Sequence, residues 1–220
     1  MERKRVEEVK KYLRLLGGLF MCALGCIMIL RSDLGLAPWD VLHQGLSKTI
    51  GITIGQASIG LGITIVFLDI ILGQSIGLGT VINFICVGLF MDLIIFLDFI
   101  PVKESYIYRF IILFIGIFFY AYGTFFYMVQ GMGCGPRDGF MQILTKKTKY
   151  PVVYIKNSIE LFALISGWLL GGKVGVGTFA TALIMGVFLQ YIFRFYKIDL
   201  KTLKHRNIKE ELIHLKEVLR

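Results

Sequence analysis

The stretch LGLAPWD at residues 34–40 recurs as MGCGPRD at residues 132–138, and this pair of segments decides the fold. The offset is 98 residues, and other positions match at the same offset without a gap. These matches include Gly25 with Gly123, Pro38 with Pro136, Gly79 with Gly177 and Gly88 with Gly186. Glycines and prolines at one fixed spacing are poorly explained by shared apolarity alone, so the chain contains an internal duplication.

Six apolar stretches run through the chain, each close to the roughly 20 residues that cross a bilayer. They cover residues 12–30, 53–72, 78–100, 107–129, 152–170 and 176–195. Each copy of the duplication holds three of them, and because three is odd, copies joined head to tail face opposite ways. The sequence therefore predicts an all-α membrane protein of six transmembrane helices, built as two inverted three-helix repeats.

The predicted organisation has five segments. They are a basic cytoplasmic N-terminus (1–11), the first repeat (12–100), an external loop (101–109), the second repeat (110–196) and an amphipathic basic C-terminal helix (197–220). That last helix should lie on the anionic inner membrane surface through Ile208, Leu212, Leu215 and Leu219.

The positive charges predict the orientation. The net charge is +9, but in a membrane protein the placement of Lys and Arg matters more than their sum, so nucleic acid is not the expected partner. With the N-terminus inside, 19 of the 24 Lys and Arg residues fall on the inner side. Both termini are therefore predicted to lie in the cytoplasm.

Each repeat carries a short extra helix after its first span, predicted at residues 38–49 and 136–147, because Pro38 and Pro136 suit the first helical turn and Asp40 and Asp138 favour its N-terminus. One interpretation is an interfacial helix with Trp39 on lipid and His43 in water. The other is a pair of half-helices that enter the bundle from opposite sides and present their N-termini to a substrate. On either interpretation, the residues of these turns, Pro38, Trp39, Asp40, Pro136, Arg137 and Asp138, are candidates for binding.

Polar groups inside the spans supply the remaining candidates, because an intramembrane charge is costly and needs a reason. Glu160 lies in the middle of the fifth span with Lys156 one turn away, which predicts either a local ion pair or a coupling carboxylate at the binding site. Further candidates are Asp69, Asn83, Asp92, Asn157 and Gln190. Asp98 is expected to be solvated at the outer boundary.

Stripes of small residues on several spans predict packing seams, because they let helix backbones approach closely. In the sixth span the stripe is Thr178, Ala182, Gly186 and Gln190. The second span carries Ser58, Gly62, Asp69 and Gly73 on one face, which matches the face of Glu160 in the fifth span.

Catalytic motifs are absent from the sequence, and the three histidines lie outside the predicted spans, so an enzyme is not expected. The four cysteines share no metal-ligand spacing and are predicted to be reduced, and no cofactor or metal is expected. The first apolar stretch lacks a cleavage pattern and has a counterpart at the offset of 98, which indicates a span rather than a signal peptide.

These motifs, together with GLGT at 77–80, the Ile159-Glu160 pair, GWLLGG at 167–172 and GVGT at 175–178, resemble the bacterial YczE/YyaS/YitT-like integral membrane proteins over nearly the whole chain. The resemblance implies a bacterial plasma-membrane protein and no particular activity. Cys134 stands where a small residue such as Ala or Gly is expected.

Three functions remain open on the sequence alone. The first is a small secondary transporter that rocks one repeat against the other around an unidentified small solute. The second is a substrate-binding membrane subunit of an ATP-driven uptake system, and the third is a non-transporting accessory protein. The expected partners are the lipid bilayer and that solute, and association into a homo-oligomer stays open.

Overall fold

The computed structural model describes residues 2–198 and 206–219, and the regular structure in that part of the chain is α-helical. The elements are α1 (Glu2–Ser32), α2 (Pro38–Ile50), α3 (Ile54–Leu72), α4 (Leu78–Leu97), α5 (Tyr106–Met128), α6 (Pro136–Thr148), α7 (Val152–Leu169), α8 (Val176–Phe195) and α9 (Ile208–Leu219). The remaining residues of the C-terminal segment predicted from the sequence lie outside the described ranges.

Six of these helices are long and apolar enough to cross a membrane: α1, α3, α4, α5, α7 and α8. The six predicted spans are thus confirmed to within a few residues, except at the start of α1. That helix begins at Glu2, because the charged residues before the apolar stretch are good helix formers and continue the same helix beyond it.

The centre of the fold is the pair α1 and α5. The two helices run antiparallel, because Gly18 lies against Gly123 and Gly25 lies against Gly116. Glycines make the close approach possible. A Cβ atom added to Gly25 would lie 2.6 Å from the carbonyl oxygen of Gly116, and one added to Gly123 would lie 2.5 Å from that of Gly18. These contacts set the separation of the two helix backbones.

The two short helices predicted from the sequence are confirmed as α2 and α6. Each packs against a long helix of the other half, α2 on α7 and α6 on α3. A Cβ atom on Gly45 of α2 would lie 2.5 Å from the carbonyl oxygen of Gly167 in α7, so the two backbones nearly touch.

The interfacial interpretation of α2 is wrong. Val41, Leu42 and His43 are buried, and only 2% of His43 is exposed. The reason is the glycine contact with α7, which draws α2 into the bundle and leaves His43 no access to bulk water.

The C-terminal helix, predicted to lie on the membrane surface, also contacts the helix bundle. The backbone N–H of Arg206 donates to the carbonyl of Gly131, at 2.9 Å, and that of Ile208 donates to Ile76, at 3.0 Å. Glu211 of α9 is fully buried against Lys11 of α1. The polar face of α9 is therefore docked on the bundle.

Candidate functional site

A cavity of about 360 Å³ lies among the helices of both halves, with lining residues from each of α1 to α8. Eight of the predicted site residues lie on its wall: Pro38, Trp39, Asn83, Pro136, Arg137, Asp138, Lys156 and Glu160. The cavity therefore gathers the first turns of both short helices and the acidic position of the fifth span into one site.

The chain reverses direction just before each short helix, and this reversal brings the helix N-termini to the cavity. Gly35 and Gly133 have φ values of 118° and 129°, in the region that favours glycine. Each is also packed tightly: a Cβ atom on Gly35 would lie 2.6 Å from the backbone nitrogen of Gly175, and one on Gly133 would lie 2.6 Å from Oγ1 of Thr80. Two residues after each reversal the backbone is extended, and the following proline starts the helix.

Arg137 joins the two short helices at the cavity wall. Its guanidinium lies over the ring of Trp39, 4.7 Å from the centroid, and its Nη2 lies 3.0 Å from Nε2 of His43. Arg137, a binding candidate from the sequence, lines the cavity. A guanidinium has five N–H donors, and the bond to His43 uses one of them.

Behind Arg137 lies a buried pair of residues from α2. Because a guanidinium can only donate, Nε2 of His43 is the acceptor, and the ring proton resides on Nδ1, 3.2 Å from Oδ1 of Asp40. Burial lowers the pKa of His43, which keeps the imidazole neutral in this arrangement. Asp40 is 4% exposed and does not line the cavity, so it lies behind His43 and is not itself available to a solute.

The first turn of α6 contributes a second acid. The hydroxyl of Tyr127 donates to Oδ2 of Asp138 at 3.4 Å, and both residues line the cavity. A Cβ atom on Gly135 would lie 3.8 Å from Oδ1 of Asn83, which places the Asn83 amide beside the same turn.

Lys156 and Glu160 are the charged part of the site that α7 contributes. Nζ of Lys156 is 3.7 Å from Oε1 of Glu160, so the predicted local ion pair is confirmed. Their side chains are 52% and 33% exposed, and both line the cavity. The two sequence interpretations of Glu160 are therefore compatible, because the pair is local and also faces the site.

Two predicted residues lie at helix contacts outside the cavity lining. Asp69 is fully buried where α3 meets α6, and a Cβ atom on Gly139 would lie 3.0 Å from its Oδ2. Asp92 accepts hydrogen bonds from the Thr53 hydroxyl at 2.5 Å and the Gly55 backbone at 2.9 Å, and it thereby ties α4 to the start of α3.

The other predicted positions do not reach the cavity. Asn157 and Gln190 are exposed on α7 and α8 and do not line the cavity. The seam predicted on α8 holds at Thr178 but fails at Ala182 and Gly186, which are exposed. Asp98 is solvent-exposed as expected, with 69% of its side chain accessible, and it also pairs with Arg31.

Sequence reasoning missed His43 and the polar residues of α5, Tyr120, Thr124 and Tyr127, all of which line the cavity. The three α5 residues follow a spacing of four and three, which puts them on one helix face. A polar stripe of this kind in an otherwise apolar span was the available signal. His43 lies three residues after Asp40, so the same rule places both on one face of α2.

Among residues 2–198 and 206–219, no three His, Cys, Asp or Glu side chains are grouped closely enough to hold a metal ion. The four cysteines are unpaired thiols.

Comparison with known proteins gives family relationships without an activity. A family described as a family of unknown function, DUF6198, matches residues 9–194. The chain is 34% identical over 176 residues to the uncharacterized membrane protein YczE of Bacillus subtilis (strain 168), covering 79% of this chain and 81% of that protein.

Two further relatives are more distant. One, an uncharacterized protein of Haemophilus influenzae, is 32% identical over 177 residues, which is 80% of each chain. The other, the uncharacterized protein YyaS of Bacillus subtilis (strain 168), is 27% identical over 179 residues, covering 78% of this chain and 87% of that protein. No solved structure matches the chain. The resemblance to YczE and YyaS expected from the motifs is confirmed.

Proposed function

Because the chain belongs to the YczE-like membrane proteins of the family of unknown function DUF6198, we propose from the geometry of its own cavity that it is a small secondary transporter for an organic anion. One observation carries the proposal: a single cavity bounded by the first turns of both short helices, with the guanidinium of Arg137 on its wall. In secondary transporters, sites of this kind lie between two repeats, at the N-termini of broken helices.

The chemistry of Arg137 favours an anion. A guanidinium recognises carboxylate, sulfonate or phosphate oxygens through paired N–H donors, and stacking on Trp39 holds its plane in position. The nearby acids are engaged with other groups, Asp138 with Tyr127 and Glu160 with Lys156. The cation stacked on Trp39 is therefore the group best placed to meet a solute.

We propose that the two halves are inverted in the membrane, and paired contacts support this. The N–H of Gly79 donates to the carbonyl of Met132, and the N–H of Gly177 donates to that of Leu34, both at 2.7 Å. The two hydrogen bonds are equivalent, because the donors Gly79 and Gly177 are 98 residues apart and so are the acceptors Leu34 and Met132. The glycine contacts of α1 with α5 exchange in the same way, as a two-fold axis in the membrane plane requires.

The charge distribution supports cytoplasmic termini in a bacterial plasma membrane. In that orientation, the outer ends of the two halves are joined by ion pairs of Asp33, with Lys173 and, at 3.4 Å, with Arg109. These pairs are the contacts that would break when the outer side opens, as alternating access demands.

Glu160 is assigned the role of a proton-coupling carboxylate, because it is the acid of the fifth span and faces the cavity. The test uses proteoliposomes loaded with a pH-sensitive dye and challenged with methane-, hexane- and dodecanesulfonate. These anions stay ionised and therefore do not carry protons across the lipid by themselves. The expected result is sulfonate-dependent acidification of the lumen that Glu160→Gln abolishes.

The matched control is Glu104→Gln, in the exposed loop between α4 and α5, which should transport like the parent. Uptake with unchanged pH dependence in Glu160→Gln would remove that residue from the mechanism. Absence of uptake and of binding for the whole series would contradict the transport of organic anions.

A further inference from the structure

A gap separates α7 from α8, whereas the equivalent helices of the first half, α3 and α4, pack against each other. In the first half these helices are closed upon each other: a Cβ atom on Gly62 would lie 2.5 Å from Cβ of Phe84, so the Phe84 side chain fills the space over that glycine. At the offset of 98 residues, Gly62 and Phe84 correspond to Glu160 and Ala182. The second half thus has a carboxylate in place of the glycine and a methyl group in place of the ring.

The missing ring leaves the cavity open at this point. Ala182 and Gly186 of α8 and Lys156 of α7 line the cavity and are also exposed at the surface. A Cβ atom added to Gly186 would meet no atom within 4 Å. Along their described lengths, α7 and α8 do not pack on one another as α3 and α4 do.

The opening lies between two helices that are apolar enough to cross a membrane, so it faces the lipid. Apart from Lys156, exposed side chains on the outer surfaces of α7 and α8 include large apolar ones, such as Phe162 at 71% and Val187 at 59% exposure. Inside, the cavity presents Arg137 and polar groups. A ligand that fits both regions has a hydrocarbon tail and a charged head.

We propose that the cavity takes a single-chain amphiphile with an anionic head, which enters from the bilayer between α7 and α8 and sets its head on Arg137 with its chain in the gap. This inference rests on the proposed function and names its substrate class. A volume of about 360 Å³ is at the lower end of ligand pockets and suits one chain rather than a two-chain lipid. Arg137 selects the negative head through its remaining N–H donors.

The test observes the site through its own tryptophan. The chain contains Trp39 and Trp168, and Trp168 is 61% exposed on α7, so Trp168→Phe leaves Trp39 as the sole tryptophan, stacked on Arg137. In phosphatidylcholine proteoliposomes, Trp39 emission is titrated with methanesulfonate, dodecanesulfonate and dodecyltrimethylammonium. We expect a saturable change with dodecanesulfonate at far lower concentration than with methanesulfonate, and none with the cation.

Ala182→Phe is the decisive variant, because it restores the ring that Phe84 supplies in the first half. It should lose the response to dodecanesulfonate and keep any response to methanesulfonate, which also shows that it is folded. Gly186→Leu is a second variant with the same expectation. The control is Leu183→Phe, which adds a ring at a neighbouring position, 74% exposed and outside the cavity lining, and should respond like the parent.

Two outcomes would overturn the inference, and they are distinguishable. If dodecanesulfonate acts equally well on Ala182→Phe, or no better than methanesulfonate on the parent, the anion enters from water and only the proposed lipid route fails. If no sulfonate affects Trp39 in any variant, the anion site itself fails, and the proposed function fails with it.

Discussion

Arg137 lies over the ring of Trp39, 4.7 Å from its centroid, and the two residues occupy equivalent positions in the duplicated halves, 98 residues apart. The first residue after each helix-starting proline therefore meets its own counterpart at the cavity. The contact joins the two halves at the point where a solute would bind. Its strength is thus relevant both to folding and to binding.

Replacing Trp39 tests that contact. Trp39→Phe keeps an aromatic face for Arg137, whereas Trp39→Leu keeps an apolar side chain without one. A cation over an aromatic ring stabilises by about 0.5–2 kcal/mol, so Trp39→Leu should lower the free energy of unfolding by about 1 kcal/mol relative to Trp39→Phe. Unfolding in mixed detergent, followed by circular dichroism, measures the difference. Equal stability of the two variants would show that the stacking contributes nothing.

Two glycines of α1 give a matched pair for testing the centre of the fold. A Cβ atom on Gly25 would lie 2.5 Å from the backbone nitrogen of Tyr120, whereas one on Gly17 would meet no atom within 4 Å. Gly25→Ala should therefore push α5 away and cost about 1–3 kcal/mol of unfolding free energy. Gly17→Ala should be neutral or stabilising by up to about 1 kcal/mol, because alanine favours the helix. The same unfolding assay would count against this packing if both variants behaved alike.

The sequence predicts the spans and the short helices well, because both follow from local patterns. Apolar length sets the spans, and a proline followed two residues later by an acid sets the start of α2 and α6. The sequence also predicts Arg137 and Glu160 as site residues, since a charge inside a span or beside a broken helix is costly without a function. These inferences required no knowledge of how helices pack.

What the sequence could not predict depends on contacts between distant segments. The interfacial interpretation puts His43 in water, whereas the close contact of Gly45 with Gly167 holds its helix in the bundle, where His43 is buried. Ala182 and Gly186 have the pattern of a packing seam, but α7 does not close on them. Whether a small residue marks a contact or an opening is decided by the partner helix, which a pattern within one helix does not show.

We predict that the buried carboxylate of Asp69 lowers the free energy of unfolding and is needed for function. It is fully buried, with 0% accessible surface, and neither of its carboxylate oxygens is hydrogen bonded in the described structure. Asp69→Asn removes a buried acid of the same shape, so the free energy of unfolding should rise by about 1 kcal/mol. Asp98→Asn, which breaks an exposed pair with Arg31, is the control and should be neutral or slightly destabilising.

Sulfonate uptake by Asp69→Asn, measured beside its stability, tells whether the buried carboxylate serves function or stabilises the fold. Loss of uptake with a gain in stability is the expected result, because functional sites often retain costly groups. A loss of stability in Asp69→Asn would mean that the carboxylate has a stabilising partner and would contradict the prediction.

The docking of α9 should depend on pH through Glu211. Burial alone would raise the pKa of this carboxyl, but hydrogen bonds and charges from Lys11 and Arg206 outweigh it and lower the pKa below its usual value. A lowered pKa means that the stabilisation is fully present above the ordinary glutamate pKa of about 4.3 and is lost as the pH falls through the lowered value. Hydrogen exchange at the α9 amides, corrected for intrinsic rates, should therefore be constant near neutral pH and faster in acid.

Glu211→Gln removes the charge at every pH, so its α9 amides should exchange faster than those of the parent at neutral pH and respond less to acid. Glu7→Gln is the control, because Glu7 is an exposed residue whose pair with Arg3, at 3.8 Å, lies outside this contact. It should exchange like the parent throughout. If Glu211→Gln protects α9 as well as the parent does at pH 7, the backbone bonds of Arg206 and Ile208 hold the helix without the buried ion pairs.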